Sequence, residues 1–98
     1  MKIPYKASNE RSALIRNNYR KISRGCTLET LLKHLPDPDE IPDLYEPKIY
    51  NPRKIGETYW YIIKRAPKKG DERILDEKLV RVSVDREGRV TQVDRWGF

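Results

Sequence analysis

The sequence predicts an α+β fold in which two N-terminal helices pack on one face of a three-stranded antiparallel β-meander. Three observations lead there. Apolar residues before position 36 recur at helical spacing. Residues after 57 are aromatic or β-branched and partly alternate, and the proline-rich stretch between follows neither period. At 98 residues the chain reads as one domain, 1–98, with a modest core.

The first helix is expected over about 8–23. Ser8 or Asn9 caps it, Glu10 suits its positive end, and Arg20, Lys21 and Arg24 suit its negative end. Leu14, Ile15, Tyr19 and Ile22 form a narrow apolar stripe; Arg11, Arg16, Asn17, Arg20 and Lys21 form the opposite, basic face. Gly25 supplies the stop. A shorter helix follows over about 27–35, capped by Thr27, with Leu28, Leu31, Leu32 and Leu35 as its core stripe and Pro36 at its end. Cys26, in the turn between the helices, is read as buried filler.

Residues 36–52 hold five of the seven prolines and no sustained period, so they read as a long irregular connection, a feature that is often functional. Thr58 to Ile63 marks the first strand of a meander spanning about 57–96, and Pro67 to Asp71 a turn or the tip of a long hairpin. Leu79 to Val84 is the clearest strand, with Val80, Val82 and Val84 alternating with Arg81 and Ser83. Asp85-Arg86-Glu87-Gly88 is a tight turn with Gly88 at positive φ. Val90 to Trp96 is the last strand, and the three-residue step from Val90 to Val93 implies a bulge.

Composition narrows the function classes. Hydrophobic residues make up 37% and mean hydropathy is −0.88, and no run approaches the ~20 apolar residues of a membrane helix. Two Trp, six Tyr and one Phe argue for a folded chain. One cysteine excludes an intramolecular disulfide framework, and no Cys/His cluster offers a zinc site. Met1-Lys2-Ile3-Pro4-Tyr5-Lys6 has no apolar run behind its charge, and Cys26 lies too far inside for a lipid anchor. A cytoplasmic location is therefore expected.

The net charge of +6 is segregated along the chain. Residues 1–35 carry eight Lys or Arg against two acids. Residues 36–47 carry five acids (Asp37, Asp39, Glu40, Asp43, Glu46) and no base. Residues 48–70 carry seven bases against Glu57, and 71–98 carry six bases against seven acids. A basic balance suits a polyanion or an acidic protein surface, or simply solvates a small domain. The acidic segment would repel phosphate unless it folds away against the basic segments.

Catalytic chemistry is not expected. His34 closes the second helix, where the macrodipole favours it structurally. Asp37/Asp39 and Asp76/Glu77 lack a ligand loop, so no metal or cofactor is expected. Binding is better supported. Tyr59, Tyr61 and Ile63 share one face of the first strand and Trp60, Ile62 and Lys64 the other, so one aromatic set lies on the open sheet face. With Arg81, Arg95 and Trp96 from the other strands, and Asp39, Glu40, Tyr45 and Tyr50 from the connection, these are the candidate protein contacts. For RNA the candidate footprint is Arg53, Lys54, Lys64, Arg65, Lys68 and Lys69, with sheet aromatics stacking bases.

Ile22-Ser23-Arg24-Gly25-Cys26-Thr27, the leucine-striped helix and Leu35-Pro36-Asp37 resemble the opening of the BamE-like (SmpA/OmlA) family. Tyr59-Trp60-Tyr61, the Gly70 loop and the run from Leu79 to Val90 extend the resemblance over about residues 12–93. The glycine that family members often place after the second helix's Leu is missing here. The family's fold is shared with β-lactamase-inhibitor proteins. The resemblance implies a small non-catalytic module that binds a protein through its sheet face, and in a cytoplasmic setting an immunity or inhibitor protein that occludes a toxin or enzyme. The last third, Val84 to Val93, is also similar to colicin-type ribonuclease domains, which implies RNA binding or histidine-free RNA cleavage as the alternative.

Overall fold

The structure, a computed structural model, describes residues 2–98; Met1, where the reading of the N-terminal segment begins, lies outside them. It is an α+β fold with two helices and a five-stranded antiparallel sheet. The strands are β1 (Tyr5–Lys6), β2 (Asp43–Tyr45), β3 (Lys54–Lys68), β4 (Asp71–Asp85) and β5 (Val90–Trp96); the helices are α1 (Asn9–Asn18) and α2 (Leu28–His34). The expected meander is present as β3-β4-β5, and β1 and β2 add to the free edge of β3.

Local chemistry sets the helix ends. Ser8 accepts the Arg11 amide at 3.1 Å and Thr27 accepts the Thr30 amide at 3.1 Å, each satisfying an amide that lacks an intrahelical partner. The first helix tightens into a 3-10 turn at Tyr19–Lys21 and ends before the expected residue 23. Gly25, at φ 95°, reverses the chain. Leu31 of α2 and its C-cap residue Leu35 are buried, whereas Leu32 is exposed. Adjacent residues on a helix diverge by about 100°, so a helix this short turns only one of the two leucines inward.

The connection 36–52 is not irregular throughout: part of it becomes sheet. β3 would otherwise present unpaired amides along one edge, which is costly where the strand is buried. Pro42 O accepts the Thr58 amide and Glu40 O the Trp60 amide, both at 2.9 Å. The Asp39 amide donates back to Trp60 O at 2.8 Å, and the Ala7 amide reaches Ile63 O at 2.8 Å.

One cluster gathers Ile15, Ile22, Leu31 and Leu35 from the helical segment with Tyr59, Tyr61, Ile63, Val80, Val82, Val84 and Val90 from the sheet. The odd-numbered aromatics of β3 are therefore interior. Two of the register shifts set which residues share a face. Ile62 pairs with Leu79 and Lys64 with Lys78, leaving Ile63 as an extra residue; Val84 pairs with Val90 and Ser83 with Gln92, leaving Thr91. At the β4–β5 turn the Asp85 carboxylate accepts the Glu87 and Arg89 amides at 3.0 and 2.9 Å, and Gly88 takes φ 76°.

Candidate functional site

The sheet face opposite the core carries three cross-strand rows: Thr58-Ser83-Gln92, Trp60-Arg81-Asp94 and Ile62-Leu79-Trp96. The Arg81 guanidinium lies over the Trp60 ring at 5.5 Å and over the Trp96 ring at 5.1 Å, and Arg65 lies at 5.9 Å over Trp60. Guanidinium and indole thus alternate across the strands, held by attraction between cation and ring face. Trp60 Nε1 donates to Thr58 Oγ1 at 3.0 Å, fixing the indole. Trp60, Glu77, Leu79, Arg81 and Trp96 line a groove of about 190 Å³. Leu79 is its buried base, while Trp96 is half exposed at its rim.

The guanidiniums here are neutralised. Arg81 pairs with Asp94 at 3.4 Å; Arg65 pairs with Glu77 at 2.7 Å and Glu40 at 3.2 Å. Those carboxylates also hold the Arg65 guanidinium above its ordinary pKa against the lowering effect of desolvation, the largest single influence on it. Three carboxylates against two guanidiniums make this surface hostile to phosphate.

The acidic segment does fold against the basic one. Asp39 meets Arg11 at 3.7 Å, Asp43 meets Lys54 at 3.1 Å, and Glu46 meets Arg53 at 2.9 Å and Lys48 at 3.7 Å. Arg11 also donates to the Pro36 and Asp37 carbonyls, tying the segment to α1. The Asp43 hydrogen bond raises the Lys54 pKa above 10.5. Of the expected RNA footprint, Arg53, Lys54, Lys64 and Arg65 are thus engaged by carboxylates, and only Lys68 and Lys69, at the exposed hairpin tip, have no carboxylate partner among the described residues.

Several expected contacts move. Tyr59 and Tyr61 are buried on the core side of the sheet, opposite Trp60, and Tyr59 reaches only the cleft at the far end of β3. Lys64 does not share the face of Trp60: the Ile63 bulge turns it to the helical side, where it meets Asp76 at 2.8 Å, and brings Arg65 over Trp60 instead. Arg95 follows Val93 to the helical side and donates to Tyr19 Oη at 3.0 Å, away from Trp96. Glu40, Trp60, Arg81 and Trp96 do come together, and Tyr45 and Tyr50 are exposed further along the connection, as is Ile49. Glu77, which lines the groove, and Asp94, which pairs with Arg81, have no local signal in the sequence; only the cross-strand register identifies them.

A wider cleft of about 620 Å³ lies at the other end of β3 and β4, lined by Leu28, Tyr59 and Val84 with Arg53, Lys54 and Arg86 opposing Glu57 and Asp85. Gly56 lets the strands cross there: a Cβ would collide with the Val84 carbonyl. Cys26 is half-buried beside the core rather than fully interior, and hydrogen bonds from Ser23 lower its thiol pKa below 9.0. The His34 carbonyl accepts Asn18 Nδ2 at 2.7 Å, a structural contact. Among the described residues no group of three or more His, Cys, Asp or Glu side chains is placed to hold a metal ion, and no helix is long and apolar enough to cross a membrane.

Comparison with family models, with curated proteins and with solved structures gives no match to this chain.

Proposed function

We propose that the chain is a non-catalytic protein-binding module whose contact surface is the outer sheet face around Trp60, Arg81 and Trp96, extended by Glu40. The observation that carries this reading is the half-exposed Trp96 beside an ordered indole–guanidinium stack over a groove with an apolar base. Trp, Tyr and Arg held in advance in one conformation lose little entropy on association and dominate interface energetics. The carboxylates of Glu40, Glu77 and Asp94 select a partner presenting basic groups around an apolar centre, and they disfavour nucleic acid on this face.

Within that reading, the resemblance to BamE-like and β-lactamase-inhibitor proteins supports an immunity or inhibitor role, with the sheet face occluding a toxin or enzyme and the helices packed behind it. Affinity capture from host lysate, with and without nuclease, tests it. A stoichiometric protein that survives nuclease and is lost with Trp96→Ala is the expected result, with affinity down about 30-fold or more for a central anchor. Capture unaffected by Trp96→Ala and Arg81→Leu would sink the assignment of this face.

A further inference from the structure

The positive charge that remains after internal pairing is concentrated on the helical side. Arg16, Arg20 and Arg95 surround two rings: Arg16 lies 5.0 Å and Arg95 6.0 Å from the Phe98 ring centre, and Arg20 lies 5.7 Å from that of Tyr19. Tyr19 and Phe98 meet edge to face at 5.5 Å. Arg16, Asn17, Tyr19, Arg20 and Phe98 line a cleft of about 300 Å³. A second cleft of about 250 Å³ shares Arg16 and is bordered by Lys6, Lys64 and Lys78, with Asn9 and Ser12 as further polar groups. Arg16 is the hinge between the two.

No Asp or Glu side chain lines either cleft. Among the described residues Lys6, Arg16, Arg20, Lys78 and Arg95 form no salt bridge; Asp76 is taken by Lys64, and Asp94 faces the other side with Arg81. Their guanidinium contacts are to neutral groups: Arg16 to Ser12 Oγ, Arg20 and Arg95 to Tyr19 Oη. Like charges gathered with no acidic side chain between them repel one another, and a multivalent anion laid across them relieves that repulsion.

We infer that the two clefts joined at Arg16 form one cationic track that binds the phosphodiester backbone of a single-stranded nucleic acid, on the side of the molecule away from Trp60 and Trp96. Two adjoining clefts suit successive phosphates better than one compact anion. Forked guanidinium donors match phosphate oxygens. The ring faces are already covered by guanidiniums, so the rings position cations rather than stack bases, and recognition is of backbone rather than sequence. The local field agrees: the Tyr19 phenol is held below its ordinary pKa, first by the Arg20 hydrogen bond, and Asp76 below 3.8, first by Lys64.

The test is fluorescence anisotropy of a labelled mixed-sequence RNA dodecamer and its DNA counterpart from 50 to 200 mM salt. With about three phosphates engaged, the logarithm of affinity should fall against that of salt with a slope near −2. Arg16→Gln with Arg20→Gln should weaken binding by about tenfold or more and flatten that slope, whereas Arg86→Gln, on the distant β4–β5 turn, should change it less than about twofold. Tighter binding of RNA assigns the track to RNA, and equal binding to either backbone. Absence of binding, equal loss with Arg86→Gln, or equally tight binding of an acidic peptide of matched charge would overturn the inference. Each substituted arginine is exposed, so circular dichroism should be unchanged. Protein capture through Trp96 is read separately, so failure of either reading leaves the other standing.

Discussion

The carboxylate of Asp39 accepts the backbone amide of Ile62 at 2.7 Å, so a side chain stands where a neighbouring strand would otherwise supply a carbonyl. β3 is paired above this point by β1 and below it by the segment from Glu40 to β2. Asp39 closes the interval and meets Arg11 of α1 at 3.7 Å. Replacing it with Ala strands a buried amide and should cost about 1–3 kcal/mol, whereas Asn, which keeps an acceptor oxygen, should cost less. Urea denaturation of both variants decides; equal stabilities would show that water satisfies the amide.

Tyr61 is fully buried, and its hydroxyl finds no hydrogen-bond partner among the described residues. Burial pushes its phenol well above the ordinary 10.0. In the unfolded chain it ionises near 10, while the folded protein holds it neutral. The folded state therefore loses stability as pH rises past 10 toward the folded value. Tyr61→Phe removes an unsatisfied group of nearly the same shape and should be neutral or stabilising by up to about 1 kcal/mol. The gain should grow above pH 10. Loss of stability at neutral pH would reveal a partner for the hydroxyl.

Arg81 couples Trp60 to Trp96. Each cation–ring contact at a partly exposed site contributes about 0.5–1 kcal/mol. A double-mutant cycle between Arg81→Leu and Trp96→Ala should return a coupling of that size in thermal unfolding, and the indole fluorescence of Trp60 should shift with Arg81→Leu alone. A coupling of zero would mean that the stack is apposition without energy.

The Lys64–Asp76 pair gives an acid-side signature. Its hydrogen bond holds Asp76 below 3.8, so its contribution is present above that pH and is lost as pH falls through the lower folded value. Carboxyl NMR should place the Asp76 midpoint below 3.8, and Lys64→Ala should move it back toward 3.8. No change on that substitution would assign the shift to Lys78 and Lys68.

Much of the fold is legible locally. Ser8 and Thr27 act as caps, Gly25 and Gly88 take positive φ, and Val80, Val82 and Val84 lie inside. The three-residue step from Val90 to Val93 marks a real bulge at Thr91. The bulge at Ile63 leaves no such trace, because Tyr61-Ile62-Ile63-Lys64 reads equally well as uninterrupted strand. That one residue sends Lys64 to the helical side and brings Arg65 over Trp60.

The sequence by itself determined the element types, the caps, the turns and the segregation of charge, because each depends on residues within one turn of helix or one step of strand. Only the tertiary structure decided which aromatics of β3 are interior, that Asp39 to Tyr45 would serve the free edge of β3, and which cations keep their charge unopposed. Those outcomes depend on backbone amides needing partners and on carboxylates finding guanidiniums far along the chain. Arg65 meets Glu40 across 25 positions, and Tyr19 meets Arg95 across 76. Separations of that kind carry no local pattern.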